Sequence, residues 1–114
     1  MLDAYGGVGL FAATLAKPAS MSAIVVESSA SACSDARINL GDTTQVVCSR
    51  FEDWRPQPAR LVVADPARAG LGGDGVAVLK ATGAERIVLV SCDAASLARD
   101  TLLLAAAGYQ HSGS

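Results

Sequence analysis

Apolar and polar positions fall into short hydrophobic runs separated by stretches with helical spacing. Met1–Ala4 reads as the end of a strand, and Tyr5-Gly6-Gly7-Val8-Gly9 as a tight turn. Leu10–Ala16 then begins a helix, with Phe11 and Leu15 sharing a face at i, i+4. Ala23–Glu27 is a second strand, apolar until its last residue; Ser28 or Ser29 is placed to cap a helix that runs to Asn39-Leu40 and stops at Gly41. Thr44–Cys48 is a third, weaker strand. Phe51–Arg60, with Pro56 and Pro58, is expected to be loop. Leu61–Ala64 forms a fourth strand ending at Asp65-Pro66. After the Gly-rich loop Ala69–Gly73, Asp74 caps a helix through about Thr82, which Gly83 ends. Arg86–Ser91 is the fifth strand, and Asp93 caps a last helix, Ala94–Ala107, stopped by Gly108. No internal repeat or low-complexity segment interrupts the series.

Strands alternating with helices at this spacing predict right-handed βαβ crossovers and a mainly parallel α/β sheet. Each strand carries its polar residue at the C-terminal end: Asp3 and Tyr5, Glu27, Ser49, Asp65, and Ser91 with Cys92. Open parallel sheets bind ligands at that edge. The location of a site is thus predicted before its chemistry.

Composition narrows the classes. The chain has 114 residues, enough for one small domain, and its 51% hydrophobic and 18% charged residues exclude a disordered chain. Only 4% are aromatic, and small branched residues suit packed parallel strands. No apolar run approaches a membrane span and no secretory signal opens the chain, so a soluble, cytoplasmic protein is expected. Net charge −2 and pI near 5.1 lack the basic surplus of a stand-alone nucleic-acid binder. An RNA partner would be gripped by other parts of a longer protein. Cys33, Cys48 and Cys92 have no paired spacing and His111 is alone, which argues against a metal site and a disulfide framework.

Gly7-x-Gly9 follows a strand and opens a helix, allowing a ligand close to the backbone. A plain tight turn has the same sequence. Ala12 holds the third position of a GxGxxG pattern, which leaves NAD open. Glu27, about twenty residues on, is placed to accept both ribose hydroxyls of a nucleoside, or to be a solvated strand-end charge. Asp65-Pro66 presents its carboxylate in a fixed direction, unless it is an ordinary Asp-Pro turn. Cys92 falls near a helix N-terminus, where partial positive charge favours the thiolate, while Asp93 acts against it. Cys33, on a helix, and Cys48, in a strand, read as inert.

The segments LDAYGGVGLFAATLA, IVVESSASACSDARINL, LVVADPARAGL and RIVLVSCDAASLARDTLLLAAAGY resemble successive blocks of the class I methyltransferase domain of RNA uracil-5-methyltransferases. The resemblance covers nearly the whole chain, and SC-x5-ARD with DPxRxG upstream is its most specific part. It implies a Rossmann-like fold over residues 1–114 as a partial S-adenosylmethionine-dependent domain, with helices on both faces and the last strands missing. Tyr5, Gly7 and Gly9 would line the S-adenosyl-L-methionine pocket and Glu27 would take the ribose. Asp65 would sit where cofactor and target base meet, and Cys92 would be the nucleophile. The implied reaction methylates C5 of a uridine in tRNA or rRNA: the thiolate adds to C6, C5 attacks the methyl, and a base removes the C5 proton.

The chain departs from that pattern at Gly6, where Cys is usual, at Leu10, often Asn, and at Ala67 and Asp93-Ala94. No residue maps to the family's proton-abstracting glutamate. The upstream glutamine segment and the RNA-gripping domains are also expected to be absent, so the isolated chain is expected to be inactive. Three alternatives follow: a non-catalytic S-adenosylmethionine-binding or scaffold module, an RNA cytosine-5 methyltransferase, and an NAD-dependent oxidoreductase. Ala67-Arg68 after Asp65-Pro66, where cytosine enzymes usually place a second cysteine, favours uridine.

Overall fold

A computed structural model describes residues 1–7, 9, 12, 22–41, 44–66, 70–91 and 93–110. The expected helix over 10–16 lies outside them apart from Ala12, as do Cys92 and His111. Five strands, β1 (Leu2–Ala4), β2 (Ala23–Glu27), β3 (Thr44–Cys48), β4 (Leu61–Ala64) and β5 (Arg86–Leu89), pair in parallel in the order β3-β2-β1-β4-β5. The chain leaves β1 on one side for β2 and β3 and returns on the other for β4 and β5. β1 therefore borders the point where strand order reverses, the place where open α/β sheets bind ligands.

Period-two alternation sends the strand residues to two cores. Leu2, Ala4, Val26, Val62 and Ala64 pack with α2 (Gly72–Ala81) and the partly buried Leu103 and Leu104 of α3 (Ala94–Ala106). Ala23 and Val25 face the other way, onto Ala36 and Leu40 of α1 (Ala30–Leu40). Helices thus cover both faces, as expected. On β5, Ile87 and Leu89 reach the first core, while Val88 and Val90 remain 43% and 37% exposed. No described helix is long and apolar enough to cross a membrane.

Local signals set most element ends. Ser29 caps α1 by accepting the Ala32 N–H, and Gly41 closes it at φ 68°. Asp93 caps α3 by accepting the Ser96 N–H. The fifth strand ends at Leu89 rather than Ser91, although the Val90 N–H still donates to the Ala64 carbonyl at 2.8 Å. Two expectations need correction. The segment expected as loop from Phe51 opens with a 3-10 turn, Phe51–Asp53, and it buries Phe51 and Trp54 in the larger core. Their rings stack at 5.9 Å, so aromatic packing overrides the proline-rich composition that follows.

Asp74, expected as a cap, lies in the first turn of α2, whose start makes no local side-chain cap bond. The cap comes from α3. Buried Asp100 accepts the Leu71 N–H at 2.7 Å and the Gly72 N–H at 3.2 Å. These are backbone donors that no helical carbonyl can take. Gly70 makes room for it: φ is +77°, and a Cβ there would lie 2.4 Å from Asp100 Oδ2. Asp100→Ala leaves one buried and one half-buried amide without acceptors and should destabilise the fold by about 2–3 kcal/mol. Gly70→Ala should also destabilise, through backbone strain and the clash. Urea unfolding midpoints, at an unchanged denaturant slope, check both.

Candidate functional site

The turn after β1 is built on left-handed backbone. Tyr5 has φ 60°, Gly7 56° and Gly9 86°. Glycine adopts such angles freely, whereas tyrosine does so at a cost of roughly 1–3 kcal/mol unless its surroundings hold it. They do hold it. Its ring lies 5.1 Å from that of Phe51 and its hydroxyl donates to Glu52 Oε1 at 2.8 Å. Burial, then the bond to Glu52, raises the phenol's pKa and keeps it neutral. The Gly9 N–H closes the turn on the Gly6 carbonyl at 2.9 Å, and the Gly6 N–H reaches the Val26 carbonyl at 3.0 Å. A Cβ at Gly6 would lie 2.4 Å from Val25 Cγ1, so the departure from cysteine there is matched by valine on the neighbouring strand.

Glu27 lies at the end of β2, beside this turn. Its Oε1 accepts the Gly7 N–H at 2.9 Å and its Oε2 accepts the Ser29 N–H at 2.7 Å. One carboxylate therefore joins the glycine turn to the cap of α1. Each oxygen keeps a further lone pair for a hydroxyl ligand. A Cβ at Gly7 would meet nothing within 4 Å, leaving the backbone open to a ligand there.

Asp65 lies exposed at the end of β4, and its N–H donates to the Ala4 carbonyl at 3.4 Å. Ser91 and Asp93 flank the position of Cys92, which is outside the described residues. The Ser91 hydroxyl accepts the Asp93 N–H at 3.3 Å, and Asp93 Oδ2 accepts the Ser96 hydroxyl at 2.6 Å. The bonds from Ser96 hold the Asp93 carboxyl below its usual pKa. The structure brings Gly7 and Glu27 into direct contact. It turns Tyr5 toward Glu52 instead, and Glu52, absent from the sequence-based candidates, thereby fixes the conformation of Tyr5. Its sequence signal was faint: a carboxylate in a segment read as loop.

Asp3 is the second group whose role only the fold reveals. It is fully buried in β1, and neither carboxylate oxygen has a well-formed hydrogen bond among the described residues. Burial raises its pKa to about 6; the nearby Ala12 amide opposes this, and the charges of Asp65 and Glu27 add to it. Three carboxylates thus give this edge a negative field suited to a cationic ligand. A cleft lies at the opposite edge, among Met1, Ala23, Gln45, Trp54 and Pro58. No group of three or more metal-ligating side chains forms among the described residues.

Cys33 and Cys48, with nothing in their spacing to pair them, both adjoin Glu27, Cys48 as its register partner on β3. Cys33 donates its thiol to the Glu27 carbonyl at 3.1 Å. Burial, followed by a side-chain hydrogen bond with Cys48, pushes that thiol up to about 11.

The Asp3 shift fixes a sign for pH dependence. A carboxyl whose pKa is about 6 when folded and near 3.9 when unfolded binds its proton more tightly in the native state. Stability should therefore fall as pH rises from about 4 to 6. Asp3→Asn should remove that slope and raise stability at pH 7 by about 1–3 kcal/mol, as read by thermal unfolding across this range.

Comparison with known proteins places this architecture. No protein-family model matches the chain. An uncharacterised RNA methyltransferase of Streptomyces coelicolor is 40% identical over 96% of this chain and 26% of its own length. The 23S rRNA (uracil(1939)-C(5))-methyltransferase of Vibrio campbellii is 37% identical over 96% of this chain and 27% of its own. Among solved structures, Pyrococcus abyssi tRNA (uracil-54, C5)-methyltransferase in complex with S-adenosyl-L-homocysteine superposes with a TM-score of 0.81. It is 32% identical over 90% of this chain and 27% of its own. By sequence and by fold, the chain is a Rossmann-like methyltransferase unit homologous to the RNA methyltransferases that include the uracil-C5 enzymes, and it spans about a quarter of their length.

Proposed function

We propose that residues 1–114 form the S-adenosylmethionine-binding part of an RNA uracil-C5-methyltransferase and carry its nucleophile. The observation behind this reading is the Glu27 carboxylate, fixed between the amides of Gly7 and Ser29 beside the buried, underbonded Asp3. The residues present fit the cofactor. Glu27 has lone pairs for two ribose hydroxyls, Gly7 leaves the backbone open, and the field of Asp3, Glu27 and Asp65 complements a cation. When bound, S-adenosyl-L-methionine supplies an electrophilic methyl group on a positively charged sulfur.

In this reading Gly7 and Gly9 give the ligand access to the turn, and Tyr5, held by Glu52, sets its shape. Asp65 stands at the switch point between β1 and β4, where cofactor and target base meet. The Cys92 thiolate adds to C6 of a uracil swung out of its stack, which makes C5 nucleophilic; the same sulfur leaves when the C5 proton is removed. That proton goes to a base outside the residues assigned here. The partner is tRNA or rRNA, gripped by further domains of a longer enzyme, and the location is cytoplasmic. Without those elements the chain binds cofactor but does not turn over.

Calorimetric titration with S-adenosylmethionine and S-adenosylhomocysteine tests the cofactor half. Saturable binding is expected, and Glu27→Ala should weaken it at least about tenfold, the loss of one or two charge-assisted hydrogen bonds. No binding by a folded chain excludes the reading. RNA containing 5-fluorouridine tests the chemical half once the remaining segments of a relative are supplied: a covalent adduct should form with Cys92 and disappear in Cys92→Ser.

A further inference from the structure

Cys33 and Cys48 have no part in the proposed methyl transfer, yet both adjoin the backbone of Glu27. Their geometry follows from the fold. Cys33 lies in the first turn of α1, on the buried stripe it shares with Ala36 and Leu40. Cys48 is the last residue of β3 and the register partner of Glu27. Val46 packs on the α1 side of the sheet, so alternation puts Cys48 on that side too. One thiol is buried and the other exposed. An accessible thiol beside a sheltered second one is the arrangement in which a first oxidation product is captured as a disulfide.

We propose that Cys33 and Cys48 form a reversible disulfide that loosens the Glu27 bridge between the glycine turn and α1. Hydrogen peroxide is the oxidant. Peroxide oxygen transfers to Cys48 sulfur, giving a sulfenic acid and water; Cys33 sulfur then attacks Cys48 sulfur, forming the S–S bond and releasing a second water. Two thiols lose two hydrogens in all, and a small dithiol reverses the change by exchange.

A disulfide holds the two sulfurs about 2 Å apart, in direct covalent contact. This draws the first turn of α1 toward β3. In the strand order β3-β2-β1 that direction leads away from the glycine turn. Ser29, the cap of α1, moves with it, while Gly7 stays on β1. The two amides that Glu27 holds are pulled apart, and the Cys33 donor is lost from the Glu27 carbonyl, which keeps the Ser49 N–H at 2.9 Å. The consequence for cofactor binding rests on the function proposed above; the disulfide and its effect on Glu27 do not.

The intact chain, treated with hydrogen peroxide and then with dithiothreitol, provides the test. Trypsin cleavage at Arg37, Arg50, Arg86 and Arg99 separates the three cysteines into different peptides. Expected are a linked Cys33–Cys48 peptide pair and faster amide exchange at Ser29 and Gly7 by NMR. Dithiothreitol should reverse both, and Cys48→Ser should show neither. S-adenosylhomocysteine affinity should fall about tenfold on oxidation, as for one lost hydrogen bond. A Cys48 that stops at sulfinic acid, a link to Cys92 or between two chains, or a linked pair with unchanged exchange overturns the proposal. Absence of ligand binding by the reduced chain counts against the cofactor reading alone, because mass and exchange still decide this one.

Discussion

The site depends on one carboxylate. Glu27 holds the turn after β1 with one oxygen and the cap of α1 with the other. Without it, a turn of positive-φ backbone and a helix start, each with a free amide donor, would meet only through the sheet beneath them. Backbone N–H groups bound to an ionised acceptor form stronger bonds than neutral pairs. The bridge therefore shapes this edge of the sheet, and each oxygen keeps a further lone pair. Under the proposed function, ribose recognition and turn architecture become a single requirement on a single side chain.

A second carboxylate does the same work on the other half of the sheet. Asp100 reaches from α3 to the start of α2 and takes two amides that local sequence leaves unsatisfied. The loop after Asp65-Pro66 and the helix that follows Cys92 are thereby tied to each other. Gly70 is the complementary half of the contact. The order SC-x5-ARD then has a physical content: its final aspartate fixes the relative position of α2 and α3.

Function and stability pull in opposite directions at Asp3. A buried carboxyl without a well-formed hydrogen bond disfavours the folded state at neutral pH, and a hydrocarbon side chain would suit β1 better. The strain at Tyr5 has the same character. Both lie within a few residues of the glycine turn, where tolerated local cost concentrates at binding sites. On the outer side of Glu27, two thiols adjoin the backbone of the residue that ties the glycine turn to α1.

Much of this was legible in the chain. Apolar runs fixed β2, β3 and β4 to the residue, and Ser29, Gly41, Asp93 and Gly108 marked helix ends, because strand alternation and caps are local properties. Glu27 could be singled out by its distance from the glycine turn, and its carboxylate does meet the Gly7 amide. What sequence could not give are pairings across long separations. The cap of α2 by Asp100, the hold of Glu52 on Tyr5 and the meeting of Cys33 with Cys48 each join residues whose spacing carries no periodic signal. Phe51 and Trp54 looked like loop because burial of an aromatic ring depends on which helix packs opposite, and only the fold brings α2 there. Sequence determined the elements and the edge at which their polar residues gather; tertiary structure decided which side chains tie those elements together, since a hydrogen bond depends on distance in space and not on distance along the chain.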